Sequence, residues 1–214
     1  TVSGYVTISS RIHVSSGAQL ILSAGILRLS GDGPFTGTGG VSASTGHWTE
    51  ASGASTQTWT KFSGYLGRLR VSNTSAGGLV LSTAAGSSFT LTGGLTVDPA
   101  AVLRATAVAL GVGGDWSAAG TIFMGRSTVT FSGASGNTAA ITSGGSFDFL
   151  VADMQAGTLI FSTNVTVAST MTLLSGSLDL SASSVTVRGG WNETGGTVVG
   201  GTSRVLFDGA AAQT

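Results

Sequence analysis

Residues Val6-Thr7-Ile8-Ser9-Ser10-Arg11-Ile12-His13-Val14-Ser15-Ser16-Gly17-Ala18-Gln19-Leu20-Ile21-Leu22, continuing through Ser23-Ala24-Gly25-Ile26-Leu27-Arg28-Leu29, carry the pattern that decides the fold. Val6 and Ile8 flank Thr7, Ile12 and Val14 flank His13, Leu20 and Leu22 flank Ile21, and Leu27 and Leu29 flank Arg28. The hydrophobic period is therefore two, and each short segment has a buried and an exposed side. Ser9-Ser10, Ser16-Gly17-Ala18 and Ser23-Ala24-Gly25 between them have the composition of corners. The segments begin 6, 8 and 7 residues apart, a circuit of 21. That spacing leaves no room for helices, and antiparallel hairpins would show Asn-Gly or Asp-Gly turns between longer strands. Three short strands around a coil of about 20 residues describe a single parallel β-solenoid (β-helix), all-β, in which about ten coils stack at ~4.8 Å into a rod roughly 50 Å long. An antiparallel sandwich or propeller is the alternative, with longer strands and repeats of about 40–50 residues.

Working outward, the same chain repeats itself. Ala51-Ser-Gly-Ala-Ser-Thr-Gln-Thr58 returns as Phe131-Ser-Gly-Ala-Ser-Gly-Asn-Thr138 and as Phe207-Asp-Gly-Ala-Ala-Ala-Gln-Thr214, at offsets of 80 and 76. An independent match carries Val6–Gly33 onto Phe89–Trp116 at an offset of 83, and a third copy carries Leu95 to Met171, Leu103 to Leu178 and Trp116 to Trp191. The chain thus divides into a partial repeat 1–50, full repeats 51–130 and 131–206, and a partial repeat 207–214, all within one solenoid of residues 1–214. Four coils per repeat are expected. Length changes fall in the Gly/Ser/Ala stretches 83–88 and 36–46, where loops absorb insertions. A start at Thr1 without Met or a leader suggests a mature product or a piece of something longer.

Composition narrows the functional classes. Gly (35), Ser (31) and Thr (30) make up 96 of 214 residues, while nine basic residues balance nine acidic ones and only 8% of the chain is charged. Hydrophobic residues reach 41%, so the low charge does not signal disorder. Zero net charge without a basic cluster argues against nucleic-acid binding. No apolar run approaches the ~20 residues of a membrane-spanning helix. The absence of Cys removes disulfides, thiolate metal sites and Cys nucleophiles. A lone coil cannot offset its ordering entropy by burying about six apolar side chains, so coils need neighbours.

The unit Ser127-Thr-Val-Thr-Phe-Ser-Gly133, seen again as Ser203-Arg-Val-Leu-Phe-Asp-Gly209 and followed by Gln213-Thr214, and the Gly-Gly-Trp openings at 189–191 and near 113–116, resemble the β-solenoid repeat regions of long bacterial surface and secreted proteins of the filamentous-haemagglutinin and autotransporter-adhesin kind. The resemblance spans the whole chain. It implies export to the cell surface, a mechanical or adhesive role in a fibre, stalk or coat, and no cofactor. The sequence departs from the pattern at Gly31-Asp-Gly-Pro-Phe35, which replaces the first Gly-Gly-Trp, and at Ala51, which replaces Phe131.

Candidate chemistry is sparse. His13 alternates with Ile12 and Val14 and should point outward, and His47 lies in a Gly/Ser/Thr stretch; neither has a Ser/His/Asp arrangement or a metal partner at suitable spacing. The nine acids are scattered singly, and Asp98 with Asp115, or Asp179 with Glu193, do not match the coil spacing that a two-carboxylate hydrolase requires. Asp32 and Asp115 beside glycines read as corner caps, since one carboxylate does not hold Ca²⁺. Thr90-Leu-Thr92 and Thr128-Val-Thr130 stand nearly two coil lengths apart with no matching pair between them, which gives no coil-by-coil threonine ladder for ice. Asn73, Asn164 and Asn192 stand in acceptor-type Asn-x-Ser/Thr triplets, expected by chance in so Ser/Thr-rich a chain. Trp116 and Trp191 are equivalent copies suited to packing, while Trp48 and Trp59, in the 36–60 region, are the candidate sugar platforms. The sequence therefore predicts a non-enzymatic, extracellular or cell-surface rod segment without catalytic, cofactor or metal residues. Its expected partners are further coils, by end-to-end self-association or as flanking repeats of the same polypeptide, and possible glycans; nucleic acid and a transmembrane location are not expected. A carbohydrate-binding or host-binding adhesin is the alternative, with a polysaccharide lyase or hydrolase and an ice-binding protein behind it.

Overall fold

The computed structural model describes residues 2–32, 35–37, 39–60, 63–82, 88–133 and 136–210. These form an all-β parallel solenoid of about nine turns without helix. The steps between stacked strands are uneven, the step from Leu69 to Leu95 being longer than the expected coil and that from Ile160 to Asp179 shorter. Each turn contributes one strand to each of three faces, here called I, II and III in the order the chain visits them. Face I is an unbroken ladder from Val2–Ile8 through Trp48–Ala51, Arg68–Val71, Leu95–Val97, Trp116–Ala118 and Thr138–Ser143 to Thr197–Val199. Face II holds three shorter ladders: Ile12–Val14 on Phe35–Gly37, then Gln57–Thr60 to Thr121–Phe123, then Gly145–Phe147 to Arg204–Phe207. Face III runs through Gly40–Ala43, Ser63–Tyr65, Ser88–Leu91, Ala109–Val112 and Thr128–Ser132 to Trp191–Glu193. Three strands, Gln19–Leu29, Phe149–Phe161 and Met171–Asp179, turn the corner from face III to face I without a break.

The period-two pattern is what fills the interior. Inward residues stack on like residues in the next turn, as in Val165 on Val185, Val167 on Val187 and Leu79 on Leu103, all of them fully or almost fully buried. Across the section, each face supplies one member of an aromatic cluster: Trp116 from face I, Phe131 from face III and Phe147 from face II, with ring centroids 5.1–6.4 Å apart. Edge-to-face contacts of this kind add to the area buried. Trp191, the repeat copy of Trp116, packs at the core margin against Phe207 at 6.3 Å.

The sequence repeats are not whole numbers of turns. Ala51 lies on face I, its copy Phe131 on face III and the next copy Phe207 on face II. Trp116 and Trp191 likewise fall on faces I and III. Each repeat therefore spans eleven strands, three and two-thirds turns, where four were expected. The near-equivalence of the three faces allows this, because an inward Val or Leu serves any of them. The segment 36–46, expected as a loop, contains strand residues of Phe35–Gly37 and Gly40–Ala43. Its glycines mark close backbone approach: a Cβ on Gly39 would lie 2.4 Å from the Ser15 carbonyl oxygen. Gly33, Pro34, most of the 83–88 stretch and the terminal 211–214 lie outside the described residues.

Candidate functional site

Side chains at outward positions of face I line up along the rod because successive turns hold parallel register. One row reads Tyr5, Ile26, Trp48 and Arg68, and the row beside it reads Thr7, Arg28, Glu50, Arg70, Thr96 and Ser117. Arg28 lies over the Tyr5 ring at 5.3 Å and Arg68 over the Trp48 ring at 5.4 Å, both within cation–π range. Glu50, only 5% exposed, has both carboxylate oxygens occupied: Arg28 Nε donates to Oε2 at 2.9 Å and Ser72 Oγ donates to Oε1 at 2.7 Å. Arg70 pairs with Asp98 at 2.8 Å, and this hydrogen bond raises the guanidinium above its ordinary value. Arg68 differs from its neighbours, for among the described residues no carboxylate pairs with it.

Two clefts open on this strip. The larger, about 550 Å³, lies above Arg68, where Gly93 and Gly94 in the next turn carry no side chain, and Asp115 bounds it one turn further on. The smaller, about 320 Å³, is lined by Ile26, Trp48, Glu50, Arg70, Thr96 and Asp98. Trp48 borders both and is half-buried. The other candidate platform, Trp59, does not belong to the site: it sits at 0% exposure in the core of face II, because its position pairs with inward Leu81. Of the pair expected to offer an aromatic surface to a sugar, Trp48 is the one partly exposed, and the Arg68 guanidinium lies over its ring.

The remaining candidates are held by structure. Asp115 Oδ1 accepts the Ala140 backbone N–H at 2.9 Å, an inter-turn cap of the expected kind. Asp179 accepts from Ser181 N at 2.8 Å, Asp153 from Ser175 Oγ at 2.6 Å, and Asp148 from Ser169 Oγ at 2.8 Å. Among the described residues no group of three or more His, Asp or Glu could hold a metal ion, and no helix is long and apolar enough to cross a membrane. His13 is exposed beside Thr36 Oγ1 at 3.2 Å. His47 is fully buried, and burial lowers its imidazole from the ordinary 6.5, opposed by the nearby Ala24 backbone. Thr90 and Thr130 share a row of face III, but Gly111 stands between them and Val151 follows, so no threonine ladder forms. Asn73 is buried, its amide donating to the Ser55 carbonyl and to Gln57 Oε1, and is closed to modification.

The sequence reading missed the cations of face I. A signal was present: Arg28, Glu50 and Arg70 follow one another at one turn each, and a search for opposite charges at the coil period finds them. No protein-family model, curated protein or solved structure matches the chain.

Proposed function

We propose that the chain is a rigid, non-enzymatic rod segment of an extracellular or cell-surface bacterial repeat protein, part of a fibre, stalk or coat. The observation that carries this reading is the uninterrupted face I ladder, which ties about nine turns into one stiff element. No turn is self-sufficient, so each is stabilised by its neighbours. The same logic extends the rod. Val205 and Phe207 continue the rows of Val185 and Val187, which are fully buried, yet they are 37% and 53% exposed. A further turn stacked there, from flanking repeats or a second copy, would cover them, and open sheet edges favour such pairing. On this reading the carboxylates serve the rod: Glu50 and Asp98 neutralise arginines, and others bind backbone N–H or hydroxyl groups between turns.

Immunogold labelling of intact cells of the source organism with antibody raised against residues 1–214 tests the role. Gold on surface projections or shed fibres is the expected result. Labelling confined to the interior of sectioned cells contradicts it.

A further inference from the structure

We propose that the larger face I cleft is a binding site for an acidic polysaccharide, with Arg68 taking a uronate carboxylate and Trp48 bordering the sugar ring. The site would give the rod a ligand, and it stands whether or not the rod belongs to a surface fibre. Three observations carry it.

The first is charge. Arg28 and Arg70 on the same strip each have a carboxylate at 2.9 and 2.8 Å, whereas Arg68 has none among the described residues. Arg68 is exposed, and its guanidinium is held over the Trp48 ring, so its fork of donors is partly pre-oriented for a planar carboxylate.

The second is shape and lining. The cleft draws on five successive turns, from Thr45 to Thr142, which at ~4.8 Å per step makes it an elongated trough along the rod. Besides Trp48, Arg68 and Asp115, its lining includes several hydroxyl groups, among them Thr92, Thr96 and Ser117, together with glycine backbone. Hydroxyls donate and accept, as sugar hydroxyls do. Arg68 is the one cation and Asp115 the one carboxylate of the lining, so the cleft has no basic cluster of the kind nucleic acid requires, and a ligand carboxylate would take the Arg68 end.

The third is departure from the repeat. One repeat on, Trp48 becomes Thr128, Gly93-Gly94 becomes Ser169-Thr170 and Asp115 becomes Gly190, and the outward position of Arg68, just before inward Leu69, is taken by Phe149, just before inward Leu150. Inward positions keep their apolar character across the same interval, as with Leu95 and Met171 or Leu103 and Leu178. The scaffold does not need Trp48 or Arg68, since the later copy has Thr128 and Phe149 in their places, whereas Gly94, whose Cβ would lie 2.5 Å from the Asp115 carbonyl oxygen, and Asp115, which accepts the Ala140 N–H, also serve the fold.

Isothermal titration of the full chain with tetragalacturonate and with a mannuronate oligomer, against neutral maltotetraose, tests the proposal. We expect saturable binding of at least one uronate oligomer and none of maltotetraose. Arg68→Gln should weaken binding tenfold or more, while Arg70→Gln, one alternate position away on the strip, should change it less than threefold. Both substitutions are at exposed side chains, and matching thermal melts show that the fold is retained. Failure of both uronates to bind overturns the proposal. So does equal binding of maltotetraose, or an equal loss in Arg68→Gln and Arg70→Gln, which would mean diffuse charge attraction.

Discussion

His47 and Thr49 flank the half-buried Trp48 in sequence, yet both are fully buried. Burial disfavours the charged form of an imidazole and so carries a cost. For His47 that cost is readable through pH. The unfolded imidazole takes a proton near its ordinary 6.5, while burial holds the folded one below that value. As pH falls through 6.5 the unfolded state gains the proton first, so stability is complete above that pH and declines below it, by up to about 1.4 kcal/mol per pH unit while the folded group stays neutral. Urea midpoints measured from pH 8 to pH 5 should fall below pH 6.5 in the native chain and stay flat over that range in His47→Leu; equal slopes in both would refute the assignment. Local composition could not place this residue. Gly46, Ser44 and Thr45 suggest a solvated loop and are indeed exposed, but the chain turns inward at His47, whose carbonyl accepts the Arg68 N–H of the next turn. Gln57 was equally silent as a sequence feature, although its amide donates to Leu29 and Gly31 carbonyls in one turn and its oxygen accepts from Asn73 in another.

Strands were the most legible elements, because period two in Val6–Ile8, Ile12–Val14 and Leu27–Leu29 requires only local reading. Corners were legible as Gly and Ser, but not which of them are bent without interrupting a strand. Gln19–Leu29 is a single strand across a corner, and Gly25 at its middle has φ +101°, in register with Gly4 of the previous turn. A Cβ on Gly25 would lie 2.0 Å from the Gly4 carbonyl oxygen, and backbone cannot swing aside as a side chain can. Gly25→Ala should therefore destabilise the chain by about 2–4 kcal/mol. Urea denaturation followed by circular dichroism measures this, and a loss under about 0.5 kcal/mol, the size of a neutral surface change, would contradict the corner geometry. Step lengths were the illegible part at this scale. The step that stacks Leu69 on Leu95 is long and the one that stacks Ile160 on Asp179 is short, and nothing in the hydrophobic pattern distinguishes a long corner from an extra strand.

At the scale of the molecule, repeat and turn are different periods. Eleven strands per repeat on a three-faced rod move each repeat by one face, so that three repeats, eleven turns, restore the starting face. A surface feature carried by every repeat would thus wind around the rod, whereas the Trp48–Arg68 cleft, whose residues the next repeat does not reproduce, marks one side of it. The sequence offset of 80 between repeats was misleading as geometry: it carries inward Leu79 onto inward Leu159 but inward Leu69 onto outward Phe149, and inward Leu, Val and Phe fit all three faces alike. Pairing decides the matter, and pairing is directly measurable because the chain contains no cysteine. Thr166 stands beside Thr186 on face II, and Thr158 beside Ser177 on face I, all at outward positions of parallel strands. Neighbouring Cα atoms at ~4.8 Å are within disulfide reach. Cysteine pairs at 166/186 and at 158/177, oxidised and mapped by mass spectrometry, should each close an intramolecular disulfide in the folded chain. Pairs that stay reduced, or that join only separate chains, would contradict a solenoid of parallel stacked turns.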